Sequence, residues 1–333
     1  MSATAADQEF LALLVHRGFL PRERAVAVLQ AAGVAGFEAA LAAETGWGDD
    51  KVAFLRRTRG LAEPEIPGYR VERRVGVGGT AEVFAARRLQ DHRRVALKIL
   101  MPGLAADAAA VARFLEEAKL LQRLDHPAIV RGHRVFKFVG TYVLEMDFVA
   151  GSTLLECHEA GREFDEDEAL DIVLQVARAL EAMRAAGVVH RDLKPGNLMI
   201  DAKGEVKLID LGFAGAGMEG RASGDTTLGT PAYLAPEQAM GQDDLDARAD
   251  IYSLGATLYH LVVGALPFEG ESDEEVLRKQ ILAGLSGKAL KGVRVSPRMH
   301  YFIEKMMAKD REVRYASAAE LIADIEAMRD AGA

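Results

Sequence analysis

The stretch VVHRDLKPGNLMI, residues 188 to 200, decides how the rest of the chain is interpreted. It is a strand-like apolar run interrupted by a polar loop that contains Asp192, Lys194 and Asn197. A carboxylate, an ammonium and a carboxamide this close together can orient a hydroxyl nucleophile and hold metal and phosphate charge beside it. Taken alone, a solvated loop between two strands is the commoner explanation. The interpretation therefore depends on what else the chain supplies.

Composition narrows the class of protein. The 333 residues are 50% apolar and 27% charged, which is typical of a globular protein with two or three packed units. A net charge of -9 argues against a nucleic-acid-binding surface. The single cysteine, Cys157, cannot form an intramolecular disulfide, and no apolar run is long enough for a membrane span. We therefore expect a cytoplasmic protein with no membrane span and no nucleic-acid partner.

The first part of the chain has a different pattern from the rest. Apolar residues such as Phe10, Leu13 and Leu14 recur at helical spacing up to about residue 60. The segment that follows contains Pro64 and Pro67, which favour a linker. We predict a small helical domain of unknown role over residues 1–62, a linker over 63–68, and a larger domain over 69–333. A partner-binding or self-associating role for residues 1–62 is the corresponding hypothesis.

Residues 69 to 100 predict three strands separated by two turns, and two further strands are predicted at about 133–139 and 141–146. In the third run, VALKIL, the period of two places Ala96 and Lys98 on one face of the strand. The amphipathic helix that follows carries Glu117 on its inward edge, so Glu117 is predicted to pair with Lys98. Helical patterns dominate after residue 150, with capping signals at Asp165, Ser272 and Ser317.

The first turn of the sheet is rich in glycine. Such a turn is more often a tight hairpin turn than a phosphate site, and a turn between two strands argues against a dinucleotide fold or a Walker loop. Beside an inward-facing Lys98, however, it can cover a polyphosphate with backbone amides. The residues are Gly76, Val77, Gly78 and Gly79.

The chain carries a series of motifs in order: the glycine turn with Val83, VALK ending at Lys98, Glu117, HRDLKPGN at 190–197, Asp210-Leu211-Gly212, GTPAYLAPE at 229–237, Asp250 and Arg314. In this order and spacing, the motifs resemble the eukaryotic-like Ser/Thr protein kinases, especially their bacterial branch. The resemblance covers about residues 68 to 330 and implies an α+β, bilobal protein-kinase-like fold, with a β-rich N-lobe over 69–146 and a helical C-lobe over 150–333, preceded by the small all-α unit.

The resemblance implies a role for individual residues. Lys98, held by Glu117, would contact the α- and β-phosphates of ATP, and Asn197 and Asp210 would bind Mg²⁺, with Mn²⁺ as an alternative. Asp192 would orient the substrate hydroxyl, and Lys194 would meet the γ-phosphate. The adenine ring and the hinge would involve Val83, Ala96, Met199, the gatekeeper Leu144, and the hinge-flanking Glu145 and Asp147.

The same resemblance implies an acceptor class and a switch. Thr230 in GTPAYLAPE, together with Lys194, favours protein Ser/Thr over Tyr as the acceptor. Thr226 and Thr227 are candidate autophosphorylation sites, and Arg191 is the candidate partner of their phosphates, which would place the protein in bacterial signalling. The plainer alternative is that Arg191 only packs and that the threonines are solvated turn residues.

Two residues depart from the family pattern: Ala81 replaces the third glycine of the phosphate loop, and Leu211 replaces the usual Phe of the metal motif. Neither change removes a charged catalytic group, so an active Ser/Thr protein kinase is favoured. A pseudokinase scaffold that binds nucleotide and partners is one alternative. A small-molecule phosphotransferase is another, although it would not need GTPAYLAPE.

Overall fold

The structure is a computed structural model, and it describes residues 3–16, 18–58, 64–211, 231–285 and 295–332. The chain divides into two compact units. The first contains residues 1–118 and 132–148, and the second contains residues 119–131 and 149–333. The predicted phosphorylation sites Thr226 and Thr227, and the substrate residue Thr230, lie outside the described residues.

The first unit begins with four helices, as the sequence pattern predicts. These helices, called the helical unit below, are α1 (Ala5–His16), α2 (Arg22–Ala35), α3 (Phe37–Thr45) and α4 (Asp49–Thr58). Phe10, Val28 and Leu41 are fully buried in its core. Arg56 joins three of the helices, because its guanidinium binds Asp7 of α1 and Glu38 of α3.

The same unit contains a five-stranded antiparallel sheet with strand order β1-β2-β3-β5-β4. All five strands were predicted, and their observed bounds are β1 (Tyr69–Val77), β2 (Ala81–Arg88), β3 (Arg94–Leu100), β4 (Gly132–Phe138) and β5 (Thr141–Asp147). Leu97, Ile99 and Val143 belong to a buried cluster on one face, called the outer face below. Ala96 and Lys98 point to the opposite face, because side chains alternate along a strand.

Helix α5 (Ala108–Arg123) follows β3 after the 3₁₀ turn Pro102–Leu104. Asp107 caps the helix, since its Oδ1 accepts the backbone N–H of Ala109 at 2.8 Å. The part of α5 up to Ala118 belongs to the first unit. The turn therefore connects the strand that carries Lys98 with the helix that carries Glu117.

The second unit is mainly helical and has a small three-stranded sheet. The predicted caps at Asp165, Ser272 and Ser317 are confirmed, because each side chain accepts the backbone N–H three residues later. The strands are β6 (Gly151–Thr153), β7 (Leu198–Asp201) and β8 (Val206–Leu208), and the helices are α6 (Leu154–Glu159), α7 (Glu166–Ala185), α8 (Pro236–Ala239), α9 (Ala247–Val263), α10 (Asp273–Leu282), α11 (Pro297–Met306) and α12 (Ala318–Gly332).

Helix α9 is the centre of the second unit, and every residue from Ala249 to Leu261 is buried. Gly255 permits close packing there, because a Cβ at this position would lie 2.7 Å from Cβ of Met306 in α11. A bidentate ion pair closes the core nearby: Arg314 Nη1 and Nη2 donate to the two carboxylate oxygens of Glu237 at 2.6 and 2.8 Å. Both side chains are buried.

The sequence placed the helical unit in a domain of its own, and this division stays a prediction. Contacts within the chain group the helical unit with the five-stranded sheet.

Among the described residues, no helix has the length and apolar character needed to cross a membrane.

Candidate active site

The glycine turn lies between β1 and β2, where the sequence predicted it. The Gly78 N–H donates to the Ala81 carbonyl at 2.8 Å and closes the turn. Val77 is 60% exposed, so it contributes little to the core of the sheet. The Thr80 carbonyl accepts the N–H of Met101 at 2.8 Å, which ties the turn to the end of β3.

Lys98 and Glu117 form the predicted pair. Lys98 Nζ lies 2.6 Å from Glu117 Oε1, and the two side chains are only 9% and 11% exposed. A short charge-assisted bond in a nearly dry environment fixes the position of the ammonium group. The register of β3 predicts this geometry correctly.

The side chains that share a face with Lys98 follow from the strand register. Val83 of β2 and Leu144 of β5 are both opposite Lys98. Residues opposite each other in an antiparallel sheet point to the same side, so Val83, Leu144 and Ala96 share the face of Lys98. The sequence prediction omitted Met146, which lies opposite Ala96 on this face. Met146 could have been found by continuing the alternation two residues beyond Leu144.

The hinge contacts predicted at Glu145 and Asp147 involve backbone groups and stay a prediction. Strand β5 continues to Asp147, and Glu145 is paired on both sides, with Leu97 of β3 and Arg134 of β4. The Glu145 side chain therefore points to the outer face, away from Lys98. At the end of β5, the Asp147 carboxylate accepts bonds from Arg93 Nη2 at 2.7 Å and His133 Nε2 at 2.8 Å.

The Glu145 side chain belongs to a buried polar network. Its side chain is fully buried, and it accepts a short hydrogen bond from the Tyr69 hydroxyl and a 2.9 Å bond from Arg134 Nε. Arg134 also donates to the Tyr69 oxygen at 2.7 Å. Burial and the neighbouring carboxylate raise the pKa of Tyr69 to about 12, so the tyrosine stays a proton donor. This network has a structural role.

In the second unit, Asp192, Lys194 and Asn197 form one hydrogen-bonded cluster. Lys194 Nζ lies 2.9 Å from Asp192 Oδ2, and Asn197 Nδ2 donates to the same oxygen at 3.0 Å. Asn197 Nδ2 also donates to the Asp192 carbonyl at 2.7 Å. The 3₁₀ turn Pro195–Asn197 brings the three side chains together. The solvated-loop alternative is therefore wrong, because Asn197 is buried and Asp192 and Lys194 are mostly buried.

The loop before Asp192 is held in a strained conformation by Asp250. Arg191 has φ 67°, a left-handed conformation that costs a side-chain-bearing residue about 1–2 kcal/mol. The two carboxylate oxygens of Asp250 accept the backbone N–H groups of His190 and Arg191, each at 2.8 Å. Complete burial is the main cause that raises the pKa of Asp250, while these two bonds act in the opposite direction. Asp250 therefore has a scaffold role in this loop.

His190 links the loop to Asp210. His190 Nε2 lies 2.7 Å from the Asp210 carbonyl, and its Nδ1 lies 3.2 Å from the backbone N of Asp192. A carbonyl only accepts and an N–H only donates, so the ring is the neutral tautomer with its proton on Nε2. His190 is a packed histidine, and Leu211, the residue after Asp210, is fully buried as well.

The small sheet of the second unit positions Met199 and the backbone that leads to Asp210. Met199 is partly exposed on β7 between the buried Leu198 and Ile200. The Ile209 N–H donates to the Asn197 carbonyl at 3.0 Å, so the strand that leads to Asp210 is tied to the turn that carries Asn197. Both predicted metal-binding residues therefore lie on backbone segments that bond each other.

Two side chains, called the anchors below, hold the segment Pro231–Tyr233 by hydrogen bonds, and neither was predicted from the sequence. Gln280 of α10 is fully buried, and its Nε2 donates to the Ala232 carbonyl at 2.6 Å. The Tyr233 hydroxyl lies 2.7 Å from Nδ1 of His260 in α9. A buried Gln in an otherwise amphipathic helix is a weak signal, because nothing local identifies its partner.

Several known proteins are similar to this chain in sequence. The family model of the protein kinase domain matches residues 69–324. The chain is 38% identical over 279 residues to a probable serine/threonine-protein kinase, SCO3848, of Streptomyces coelicolor, covering 81% of this chain and 41% of that protein. It is 35% identical over 257 residues to the serine/threonine-protein kinase PknB of Mycobacterium leprae, covering 75% of this chain and 41% of that protein. The chain thus spans about two fifths of the length of these relatives.

A solved structure is also similar. The crystal structure of Rad53 1-466 in complex with AMP-PNP aligns with a TM-score of 0.64 and 29% identity, over 77% of this chain and 64% of that one. Protein kinases use ATP and a divalent metal. The family match covers most of the chain, and the catalytic-loop geometry agrees with it. The chain therefore belongs to the protein kinase domain family.

Proposed function

We propose that this protein transfers the γ-phosphoryl group of MgATP to Ser or Thr hydroxyls of proteins. The observation that carries the proposal is the Asp192–Lys194–Asn197 cluster on a backbone that Asp250 holds in a strained conformation. Strain of this kind persists where the surroundings impose it, and it is concentrated at functional sites. The Ser/Thr class is supported by the names of the relatives, which are serine/threonine-protein kinases.

In this proposal Asp192 binds and orients the acceptor hydroxyl, and one of its carboxylate oxygens accepts the proton. Lys194, held 2.9–3.1 Å from both of these oxygens, contacts the transferred phosphate and lowers the cost of its charge. Lys98 contacts the α- and β-phosphates, and Glu117 holds its ammonium in place. The glycine turn adds backbone N–H donors, since residues 76, 78 and 79 carry no side chain.

Asn197 and Asp210 fit a divalent metal, since Mg²⁺ prefers oxygen ligands. Asn197 Nδ2 makes both hydrogen bonds of the amide, so Oδ1 is the atom of this side chain suited to a cation. Asp210 supplies a carboxylate, while its backbone carbonyl is bonded by His190. Bound there, Mg²⁺, or Mn²⁺ in its place, would neutralise the charge of the phosphates.

The adenine ring would lie against Val83, Ala96 and Met199. The shared face of β2, β3 and β5 supports this choice and adds Leu144 and Met146 to the apolar wall. Hinge contacts with the adenine are proposed for backbone groups between Glu145 and Asp147.

The alternatives are disfavoured by the same residues. A pseudokinase scaffold has no need of Asp192 and Lys194 as a bonded pair. A small-molecule phosphotransferase does not explain the two buried anchors of Pro231–Tyr233, which would hold a peptide-binding segment in shape.

Regulation is proposed on the sequence alone. Autophosphorylation of Thr226 or Thr227 would add about -1.5 to -2 charge, which Arg191 could pair with, while Thr230 would contact Asp192 and Lys194. A role in cytoplasmic signalling belongs to the same proposal. If residues 1–62 mediate self-association or bind a partner, the exposed side of α2 is the candidate surface, since Val26, Leu29 and Val34 are 47%, 39% and 94% exposed.

The test is phosphate transfer from radiolabelled ATP to peptides that differ only in a Ser, Thr or Tyr acceptor. We expect labelling of the Ser and Thr peptides, none of the Tyr peptide, and loss of labelling with EDTA that excess Mg²⁺ restores. Nucleotide binding without any transfer would favour the pseudokinase. Transfer to small alcohols but not to peptides would favour the small-molecule enzyme.

A further inference from the structure

The turn between β4 and β5 has an unusual residue. Phe138 pairs with Thr141, so the hairpin turn consists of Val139 and Gly140 alone. Both have positive φ, 47° and 79°. Turns of this type favour Asn-Gly, and a β-branched residue in the left-handed region is an outlier that costs about 1–2 kcal/mol. Something other than the turn must favour valine here.

The surroundings of the turn supply the reason. Val139 packs against the buried core of the helical unit. Next to it, the rings of Phe54 in α4 and Phe138 lie edge to face with centroids 5.2 Å apart. Lys51 of α4 covers the turn, since a Cβ on Gly140 would lie 2.6 Å from Lys51 Nζ. Burial, and secondarily Lys137, lowers the pKa of Lys51 to about 8, which fits a covered position.

A second contact joins the helical unit to the connection between β3 and α5. A Cβ built on Gly103, in the 3₁₀ turn Pro102–Leu104, would lie 3.5 Å from the Gly18 carbonyl oxygen. The two backbones therefore approach closely just after α1. This turn is the only covalent path from Lys98 to Glu117 along the chain, so its position affects how α5 lies against β3.

The surface between the two contacts is mainly apolar, although His16, Arg74 and Glu82 also line it. A cavity of about 670 Å³ is lined by Leu14 and Leu55 of the helical unit and by Phe84 and Ile99 on the outer face of the sheet. All four residues are at most 8% exposed. The helical unit thus covers the face of the sheet opposite to Lys98, and it touches the turns at both ends of the contact.

We propose that the helical unit positions the Lys98–Glu117 pair by holding the β4–β5 turn and the turn Pro102–Leu104. This rests on the proposed function, in which that pair binds the phosphates of ATP. The helical unit then acts as a built-in part of the ATP-binding lobe, and not as a tethered module. Val139 is a positioning residue: its side chain favours attachment at the expense of a better turn.

The test uses Val139→Asn in the full chain, because asparagine improves the turn and removes the apolar contact. Val313→Asn is the matched control, since Val313 is 59% exposed and belongs to the second unit. We expect Val139→Asn to lower kcat about fivefold or more at an unchanged KM for the peptide. Amides of β3 and α5 should exchange with deuterium faster, while those of α9 do not change. The control should match wild type in both measurements.

One combination of results for Val139→Asn would overturn the proposal. If Val139→Asn raised Tm, as expected for a better turn, and left both kcat and the exchange of α5 unchanged, the proposal would be overturned. Should this variant fail to fold, Phe54→Leu and Phe138→Leu, singly and together, test the same contact: the proposal requires each to speed exchange in α5 and their effects to be non-additive. If wild type itself transfers no phosphate, the proposed function fails, but the exchange comparison still decides this proposal.

Discussion

Lys98 and Glu145 lie on neighbouring strands of one sheet, both buried and both charged, yet they face opposite sides. Lys98 of β3 is paired with Glu117 of helix α5, which is not part of the sheet. Glu145 of β5 is bonded by Tyr69 and Arg134, both of which belong to the sheet itself. The Lys98 ammonium lies where a ligand can contact it. The Glu145 carboxylate is instead bonded by side chains of the same sheet. Burial and charge alone do not identify a catalytic residue.

The comparison predicts opposite effects of substitution. Lys98→Met should reduce phosphate transfer by about two orders of magnitude or more, because it removes the charge that is placed toward the phosphates. Tm should change little, since methionine can occupy the apolar part of the same space. Lys119→Met, on the exposed side of α5, is the control and should behave like wild type. A variant with normal transfer rates would remove Lys98 from the active site.

Glu145→Gln should show the reverse pattern. The side chain keeps its shape but loses the charge that Arg134 binds, which should lower the free energy of unfolding by about 1–3 kcal/mol. Transfer rates at a temperature well below Tm should change by less than about twofold, because the residue faces away from Lys98. Asp125→Asn is the control, since Asp125 is 83% exposed and its ion pair with Arg131 should contribute little. Urea unfolding and initial rates measure the two quantities; a large loss of rate at unchanged stability would contradict the distinction between the faces.

The smallest expected effect concerns pH. His260 packs its ring 4.4 Å from that of His158 and bonds Tyr233. Burial, and then His158, lowers the pKa of His260 to about 4. The unfolded chain, whose histidine has an ordinary pKa, therefore binds the proton more readily, and stability falls as pH drops from about 6.5 towards 4. His260→Asn should lose less unfolding free energy than wild type between pH 7 and 5. Equal losses in both proteins would mean that His260 does not contribute to acid sensitivity.

The sequence predicted what depends on local pattern. Alternation in VALKIL placed Lys98 correctly, and helical spacing placed Glu117, so their pairing was predicted although the residues are 19 positions apart. The side-chain caps at Asp165, Ser272 and Ser317 needed only four residues each. The motif HRDLKPGN predicted that Asp192, Lys194 and Asn197 lie close together, because a short loop leaves the backbone little conformational freedom.

What the sequence could not predict depends on distant partners. The buried network of Glu145 could not be predicted, because it depends on Tyr69, 76 positions away. The packing of the helical unit against the sheet could not be predicted for a similar reason. A Pro-containing segment indicates a linker, but whether the elements on its two sides pack together depends on apolar surfaces that are far apart in the chain. The one local sign was Val139 before Gly140, where a turn residue was expected.

The most direct test of the central claim is phosphate transfer by Asp192→Asn. This substitution keeps the size of the side chain and removes the negative charge that Lys194 binds and that would accept the hydroxyl proton. Asp167→Asn, at a position where the aspartate is 81% exposed, is the control. With a Ser peptide and saturating MgATP, we expect kcat to fall by about two to four orders of magnitude, with KM for ATP and Tm close to wild type and the control fully active. A near-normal kcat in Asp192→Asn would contradict the assignment of the catalytic loop.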